Sequence, residues 1–285
     1  MHSVYALETS MKLFLAKEFE TNLAQLSQEL PHAVLLVGPE GIGLLSIATK
    51  LAGSHLSGVI SPTDPKGNID PSSSGVIRIA QMRDLSSHAI NKTNSERIYI
   101  IDNADQMNHQ AQNSFLKLLE EPVPHVHFVL VSHHSERLLP TVLSRVQALR
   151  VPPISHDQSV ELLDTLRVMD ETTRTRLLFL ADGLPATLTR LVGDKEVFQA
   201  KITAITDARL LLQGTAIDKF RITNTYGGNR AGTLELLSYA ERILRHSLVQ
   251  HPSSQLIERA DDISDAYDRI AANGHIRIQL LRLVV

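Results

Sequence analysis

The sequence contains no cysteine, which excludes disulfides and thiolate-bound zinc and fits a reducing compartment. It also lacks any run of about 18 apolar residues, the length a membrane-crossing helix needs. The stretch Met1–Leu30 is interspersed with Glu, Lys and Gln and has no apolar core of the kind a signal peptide carries. The chain is therefore expected to be neither secreted nor membrane-spanning, and to work in the cytoplasm. Nor does charge of one sign dominate: the formal net charge is −3, with no polybasic run. Non-specific grip on nucleic acid is then weak, and any DNA contact is expected to be shared with partners. What is present is ordinary for a globular protein, 43% hydrophobic and 21% charged residues over 285 positions, enough for two or three domains.

Hydrophobic spacing divides the chain in two. Residues from Met11 to Leu30 carry apolar side chains at helical spacing. Ala33–Val37, Arg97–Ile101 and Val126–Val131 are short continuous apolar runs, the pattern of buried parallel strands. Val76–Ile79 reads as a further brief strand, Gln81–Ile90 as a helix, and Asn108–Glu121 as a helix closed by Pro122. The Ser-, Pro-, Gly- and Asp-rich stretch Gly53–Gly75 reads as a surface loop. Strands alternating with helices predict an α/β domain with a parallel sheet covered on both faces. Beyond Val151-Pro152-Pro153 the spacing is helical. Phe198–Leu212 and Thr233–Gln250 read as two longer helices separated by the stretch Asn224–Gly232, and a strand signal returns only in the last few residues.

Two segments carry chemistry. Gly38-Pro-Glu-Gly41-Ile-Gly43 follows the first apolar strand and precedes a helix, in the manner of a phosphate-binding loop whose backbone N–H groups cradle phosphates. Where such a loop carries a lysine for the β/γ-phosphates and a hydroxyl residue for Mg²⁺, this chain has Leu44 and Leu45. Some sixty residues on, Ile98–Ile101 ends in Asp102, the place from which an aspartate helps hold Mg²⁺ in P-loop proteins. His125, His127, His133 and His134 cluster in sequence but lack a carboxylate pair to complete a metal site, so no metal is expected there.

Three segments, Asp102-Asn-Ala-Asp105, Asn113-Ser-Phe-Leu-Lys-Leu-Leu-Glu-Glu-Pro122 and Leu138-Leu-Pro-Thr-Val-Leu-Ser144-Arg145, resemble the clamp-loader branch of the AAA+ superfamily. Within it, the resemblance is to the delta-prime subunits of bacterial DNA polymerase III, with gamma/tau as near relatives. It covers about Pro31–Pro153. It implies a RecA-like α/β domain over 1–152, a small helical lid over 153–205 and an all-α collar domain over 206–285. It also implies gamma/tau and delta subunits as partners, with the sliding clamp and primer-template DNA reached through the complex.

Against that family the chain shows departures. Leu44 and Leu45 replace the Lys and Thr/Ser of the active loop, and Asn103 stands where a glutamate would polarise the attacking water. Around Gly183-Leu-Pro185-Ala186 no arginine serves as second sensor, and Ser132 is the candidate for the first. The family's four-cysteine zinc module is absent, so no zinc is expected. Ser144-Arg145 matches the Ser-Arg-Cys motif, whose arginine reaches a neighbour's ATP; Arg137 reads as an ordinary loop cation. The resemblance thus implies a stator-type subunit with no ATPase activity of its own, no required cofactor, a degenerate site at Gly38, Gly41, Gly43 and Asp102 that could hold at most residual nucleotide, and Arg145 acting in trans. A weakly active gamma/tau-like ATPase and a stand-alone adaptor are the alternatives.

Overall fold

The computed structural model describes residues 13–70, 75–90 and 95–284. They form two compact units that meet in sequence at Val192/Gly193.

In the first unit, helix α1 (Lys17–Gln28) leads into β1 (Ala33–Val37), and α2 (Leu44–Ala52) into β2 (Leu56–Ile60). Helix α3 (Ile79–Ala89), β3 (Arg97–Ile101), α4 (His109–Glu120), β4 (Val126–Ser132), the four-residue α5 (Pro140–Leu143) and β5 (Gln147–Arg150) complete the α/β part. The five strands are parallel in the order β2-β3-β4-β1-β5. Because alternate strand residues point to opposite faces, each central strand feeds two cores. Val34, Leu36, Ile98, Ile100, Val129 and Val131 pack with α1 and α2. Leu35, Tyr99, Ile101, Phe128 and Leu130 pack with α3 and α4, where Phe115 meets Phe128 edge-on at 5.3 Å between ring centroids. Three further helices, α6 (His156–Thr165), α7 (Glu171–Ala181) and α8 (Pro185–Gly193), follow, and up to Val192 they lie in the first unit. Gln158, which also closes the capping box of α6 with Ser155, donates to the Leu15 carbonyl at 2.6 Å.

The second unit is helical throughout its described residues: α9 (Lys195–Gln213), α10 (Ala216–Tyr226), α11 (Arg230–Gln250), α12 (Ser254–Ala271) and α13 (Ile276–Arg282). Helix α11 packs between α9 and α12 through Leu236, Leu237, Ala240 and Leu244. Lys201 of α9 pairs with Glu235 of α11, which also accepts from the Tyr239 hydroxyl at 3.0 Å.

Several expectations need correction. The Gly53–Gly75 loop holds the edge strand β2, hidden in the sequence by Ser57 and Gly58; residues 71–74 lie outside the described residues. Strand β5 was not expected, because its Gln147 and Arg150 face outward at the other edge. Val76 and Ile77 form single bridges only, and Ile79 already belongs to α3, whose start is fixed by hydrogen bonds between Arg78 and Gln81. The carboxyl-terminal strand signal is helix α13, with Leu280 buried. Between the two expected long helices lies α10. Position 205/206, expected to part lid from collar, falls inside the continuous helix α9. The expected helix from Met11 begins at Lys17, with Met11 and Lys12 outside the described residues.

Candidate functional site

The carboxyl end of β1 lies between β4 and β5, where the strand order reverses, the place at which open α/β sheets form their ligand crevice. The Gly38–Gly43 loop emerges there. Gly41 and Gly43 have φ of 85° and 91°, backbone that favours glycine, and Gly43 caps the start of α2. Leu44, the first residue of α2, is 1% exposed and packs with Ile42, Ile47, Ala48 and Val151. A Cβ built on Gly38 would come within 3.3 Å of its Cδ2, so the loop closes directly over this leucine. Leu45 is partly buried against the same cluster.

Helix α8 covers the loop from the other side. The Thr187 N–H donates to the Gly41 carbonyl at 3.0 Å. A Cβ on Gly41 would sit 1.9 Å from Thr187 Oγ1, and one on Gly43 would touch the Ala186 Cβ at 3.5 Å. Beside the loop is a cavity of about 300 Å³ bounded by residues 13–15, α2, α6 and α8. Ile42, Ile47, Leu162 and Ala186 are among its mostly apolar lining residues, and Arg190 of α8 reaches its wall. Arg190, a helical turn beyond Pro185 and Ala186, is a cation on this wall that the sequence pattern did not mark.

Asp102 follows β3 and is 8% exposed. Its N–H donates to the Ile60 carbonyl at 2.8 Å. Burial pushes its carboxyl above the ordinary range, against the opposing pull of the His133 ring and the Asn103 N–H. Asn103 takes the left-handed conformation, φ 48°, which asparagine tolerates better than most residues. Ser132, at the end of β4 and fully buried, donates to Asp105 Oδ1 at 2.9 Å and accepts from the His134 N–H at 3.2 Å. Its hydroxyl is thus engaged within the chain. His133 Nδ1 lies 2.8 Å from the Gly38 carbonyl, tying β4 to the glycine loop.

The histidines are not simple solvent contacts. His125 and His127 both meet the carboxylate of Glu96, at 2.8 and 2.9 Å, and His134 pairs with Glu136 at 3.2 Å. Among the described residues no group of three or more His, Cys, Asp or Glu is arranged to hold a metal ion.

Ser144 and Arg145 follow α5, away from the glycine loop in sequence and joined to α4. Gln112 of α4 accepts from the Leu139 N–H at 2.7 Å and donates to the Arg137 carbonyl at 3.2 Å. Buried Leu138 and Val142 complete the attachment. Arg145 Nη1 donates to the Thr141 carbonyl at 3.0 Å and to Ser144 Oγ at 3.3 Å. Its Nη2 lies 3.0 Å from Glu120 Oε1, with the two side chains 37% and 51% exposed. A second polar feature lies between α3 and α4: a groove of about 700 Å³ lined by Arg83, Ser86, Asn113, Ser114 and Lys117. Its two cations come from different helices, which is why no basic run marks it in the sequence.

The donor set at the loop does not match that of a Mg²⁺-nucleotide. Position 44 offers a buried leucine, position 45 no hydroxyl, and Thr187 and Ala186 lie against Gly41 and Gly43. Among the described residues no helix is long and apolar enough to cross a membrane.

Residues 14–155 match the family profile described as "DNA polymerase III, delta subunit". DNA polymerase III subunit delta' of Bacillus subtilis is 36% identical over 143 residues, 44% of this chain and 43% of that protein. The subunit delta' of Pseudomonas aeruginosa is 30% identical over 57% of this chain and 56% of its own length. DNA polymerase III subunit gamma/tau of Mycobacterium tuberculosis is 30% identical over 40% of this chain and 23% of its own. The matches therefore span about half the length of the delta' relatives. Among solved structures, a gamma subunit-related protein from Thermotoga maritima superposes with a TM-score of 0.51 over 94% of this chain and 97% of its own, at 19% identity. At that identity the likeness is one of fold. Over residues 14–155 the chain is thus similar to the clamp-loader subunits of DNA polymerase III, the group that contains delta' and gamma/tau.

Proposed function

We propose that this protein is a non-hydrolysing, stator-type subunit of a DNA polymerase III clamp loader, acting in the cytoplasm with gamma/tau and delta subunits. Its own phosphate loop stays idle, and Arg145 completes the ATP site of a neighbour while the assembly places a sliding clamp on primed DNA. The observation that carries this reading is a contrast between two positions. Leu44, where the catalytic lysine would stand, is sealed in the core, whereas the Arg145 guanidinium stands at the surface. Asn103, following Asp102, carries a side-chain amide that cannot take a proton near neutral pH.

A guanidinium is permanently charged and planar, suited to charge that develops on a phosphoryl group in transfer. Arginines in this role accelerate phosphoryl transfer by about 10³–10⁵. The Thr187 N–H bonded to the Gly41 carbonyl ties α8 to the glycine loop. Arg83 and Lys117, with the polar side chains between them, are the donor types that meet phosphodiester oxygens, and they give the subunit a direct hold on primer-template DNA. The three-part division into α/β domain, lid and collar belongs to the same proposal, with the second unit as collar.

Reconstitution tests it. A loader assembled with Arg145→Ala retains its subunit composition and loads clamps more slowly than the wild type. An unchanged loading rate refutes the role. A weakly active ATPase is favoured by Arg190 at the cavity wall, and turnover by the isolated chain at the level of gamma/tau establishes that reading instead.

A further inference from the structure

The surroundings of Arg145 contain a feature that the finger role alone does not require. The guanidinium is already engaged on two sides within its own chain, by the Thr141 carbonyl and Ser144 Oγ at Nη1 and by the Glu120 carboxylate at Nη2. Carboxylate and phosphate are recognised by the same guanidinium N–H groups. The Nη2 edge that faces Glu120 is therefore withheld from a phosphoryl oxygen while the pair is made. We propose that Glu120 is a positioning residue that parks the Arg145 side chain on its own subunit, and that a neighbour's nucleotide phosphates must displace it before the finger engages.

The local electrostatics favour such a parking place. Glu120 is the last residue of α4 and Glu121 follows it, so two carboxylates stand at the negative end of a helix, where a cation is attracted. The attraction is weak enough to be reversed. Both side chains are substantially exposed, and exposed ion pairs shift an equilibrium by about 1.4- to 5-fold. A polyanionic nucleotide on an adjoining subunit can exceed this. The start of α4 and the segment leading into α5 are held to each other by Gln112 independently of the ion pair, so releasing the guanidinium leaves that attachment in place. Parking thus keeps the finger folded back in the free subunit and sets a small threshold for its engagement.

The inference rests on the finger role proposed above, and the test separates the two. Single-turnover ATP hydrolysis is measured for loaders reconstituted with the wild-type subunit, Glu120→Gln, Arg145→Ala and the double variant, with the thermal stability of each free subunit recorded alongside. Glu120→Gln is isosteric and lies at the surface, so it folds. The expected result is hydrolysis about two- to fivefold faster with Glu120→Gln, and no effect of the same change in the Arg145→Ala background. A purely structural role for Glu120 alters stability and leaves turnover unchanged. If Arg145→Ala hydrolyses as fast as the wild type, the finger role fails and parking fails with it. If Arg145→Ala is slow but Glu120→Gln is no faster than the wild type, or changes the rate equally in both backgrounds, parking alone is overturned.

Discussion

Replacing Leu44 with lysine, the residue an active phosphate loop carries there, should damage this protein rather than restore it. Leu44 is 1% exposed, packed among Ile42, Ile47, Ala48 and Val151, with Gly38 closed over it. Truncating a buried leucine to alanine costs about 2–5 kcal/mol. Lysine retains more volume but brings an ammonium group that must reach water or give up its proton, so a loss of at least about 3 kcal/mol is expected, a large part of the roughly 5–15 kcal/mol that holds a domain folded. With each kcal/mol worth about 2–4 °C in a unit of this size, the midpoint should fall by at least about 6 °C. Leu44→Met, close in volume, should cost less than about 1.5 kcal/mol and serves as control. Thermal unfolding with and without Mg²⁺-ATP reads the outcome. A lysine that reached the phosphates would let ATP at a hundred times its Kd return about 2.7 kcal/mol. An unaltered midpoint for Leu44→Lys, or a marked rise on adding ATP, refutes the reasoning that the loop is shut around this leucine.

Three other outcomes are expected. Gly41→Ala combines a left-handed φ, costing about 1–2 kcal/mol for a residue with a Cβ, with a clash against Thr187; it should loosen α8, seen as faster amide exchange over 185–193, and Thr187→Gly in the same chain should recover part of the loss. Asp102→Asn should stabilise the protein at neutral pH. The folded carboxyl titrates above its unfolded range because of burial, so the native state binds the proton more readily and its stability falls as pH rises through that window; the advantage of asparagine should shrink on acidification in urea titrations at several pH values, and a destabilised variant at pH 8 counts against it. Arg83→Ala with Lys117→Ala should weaken DNA binding by the assembled loader and flatten its salt dependence by about one to two units of slope, whereas an unchanged slope removes the groove from the DNA interface.

The interior of the fold was legible and its margins were not. Strands β1, β3 and β4 lie inside a parallel sheet and must be apolar on both faces, so Ala33–Val37, Arg97–Ile101 and Val126–Ser132 stand out as continuous runs. The edge strands β2 and β5 expose one side, and Gly58, Gln147 and Arg150 erase the signal. Helix α4 was marked at both ends, by the Asn108 side chain accepting from the Ala111 N–H at 2.8 Å and by Pro122 just past the last turn. At the candidate site, residue identity foretold the missing lysine at Leu44. Nothing in the sequence foretold that α8 would lie on the glycine loop, because Thr187 and Gly41 meet only through the packing of α8. The Arg145–Glu120 pair and the Arg83–Lys117 groove escaped for the same reason: each joins side chains from different elements whose separation along the chain carries no periodic mark.

The proposed role of Arg145 is to act through its charge on fuel bound elsewhere. Its most direct test is rapid-quench ATP hydrolysis by the reconstituted loader carrying Arg145→Ala, set beside the isolated wild-type chain. Negligible turnover by the isolated chain and a loss of about 10³-fold or more at one ATP site of the variant assembly are expected. Full-rate hydrolysis at every site of that assembly contradicts it.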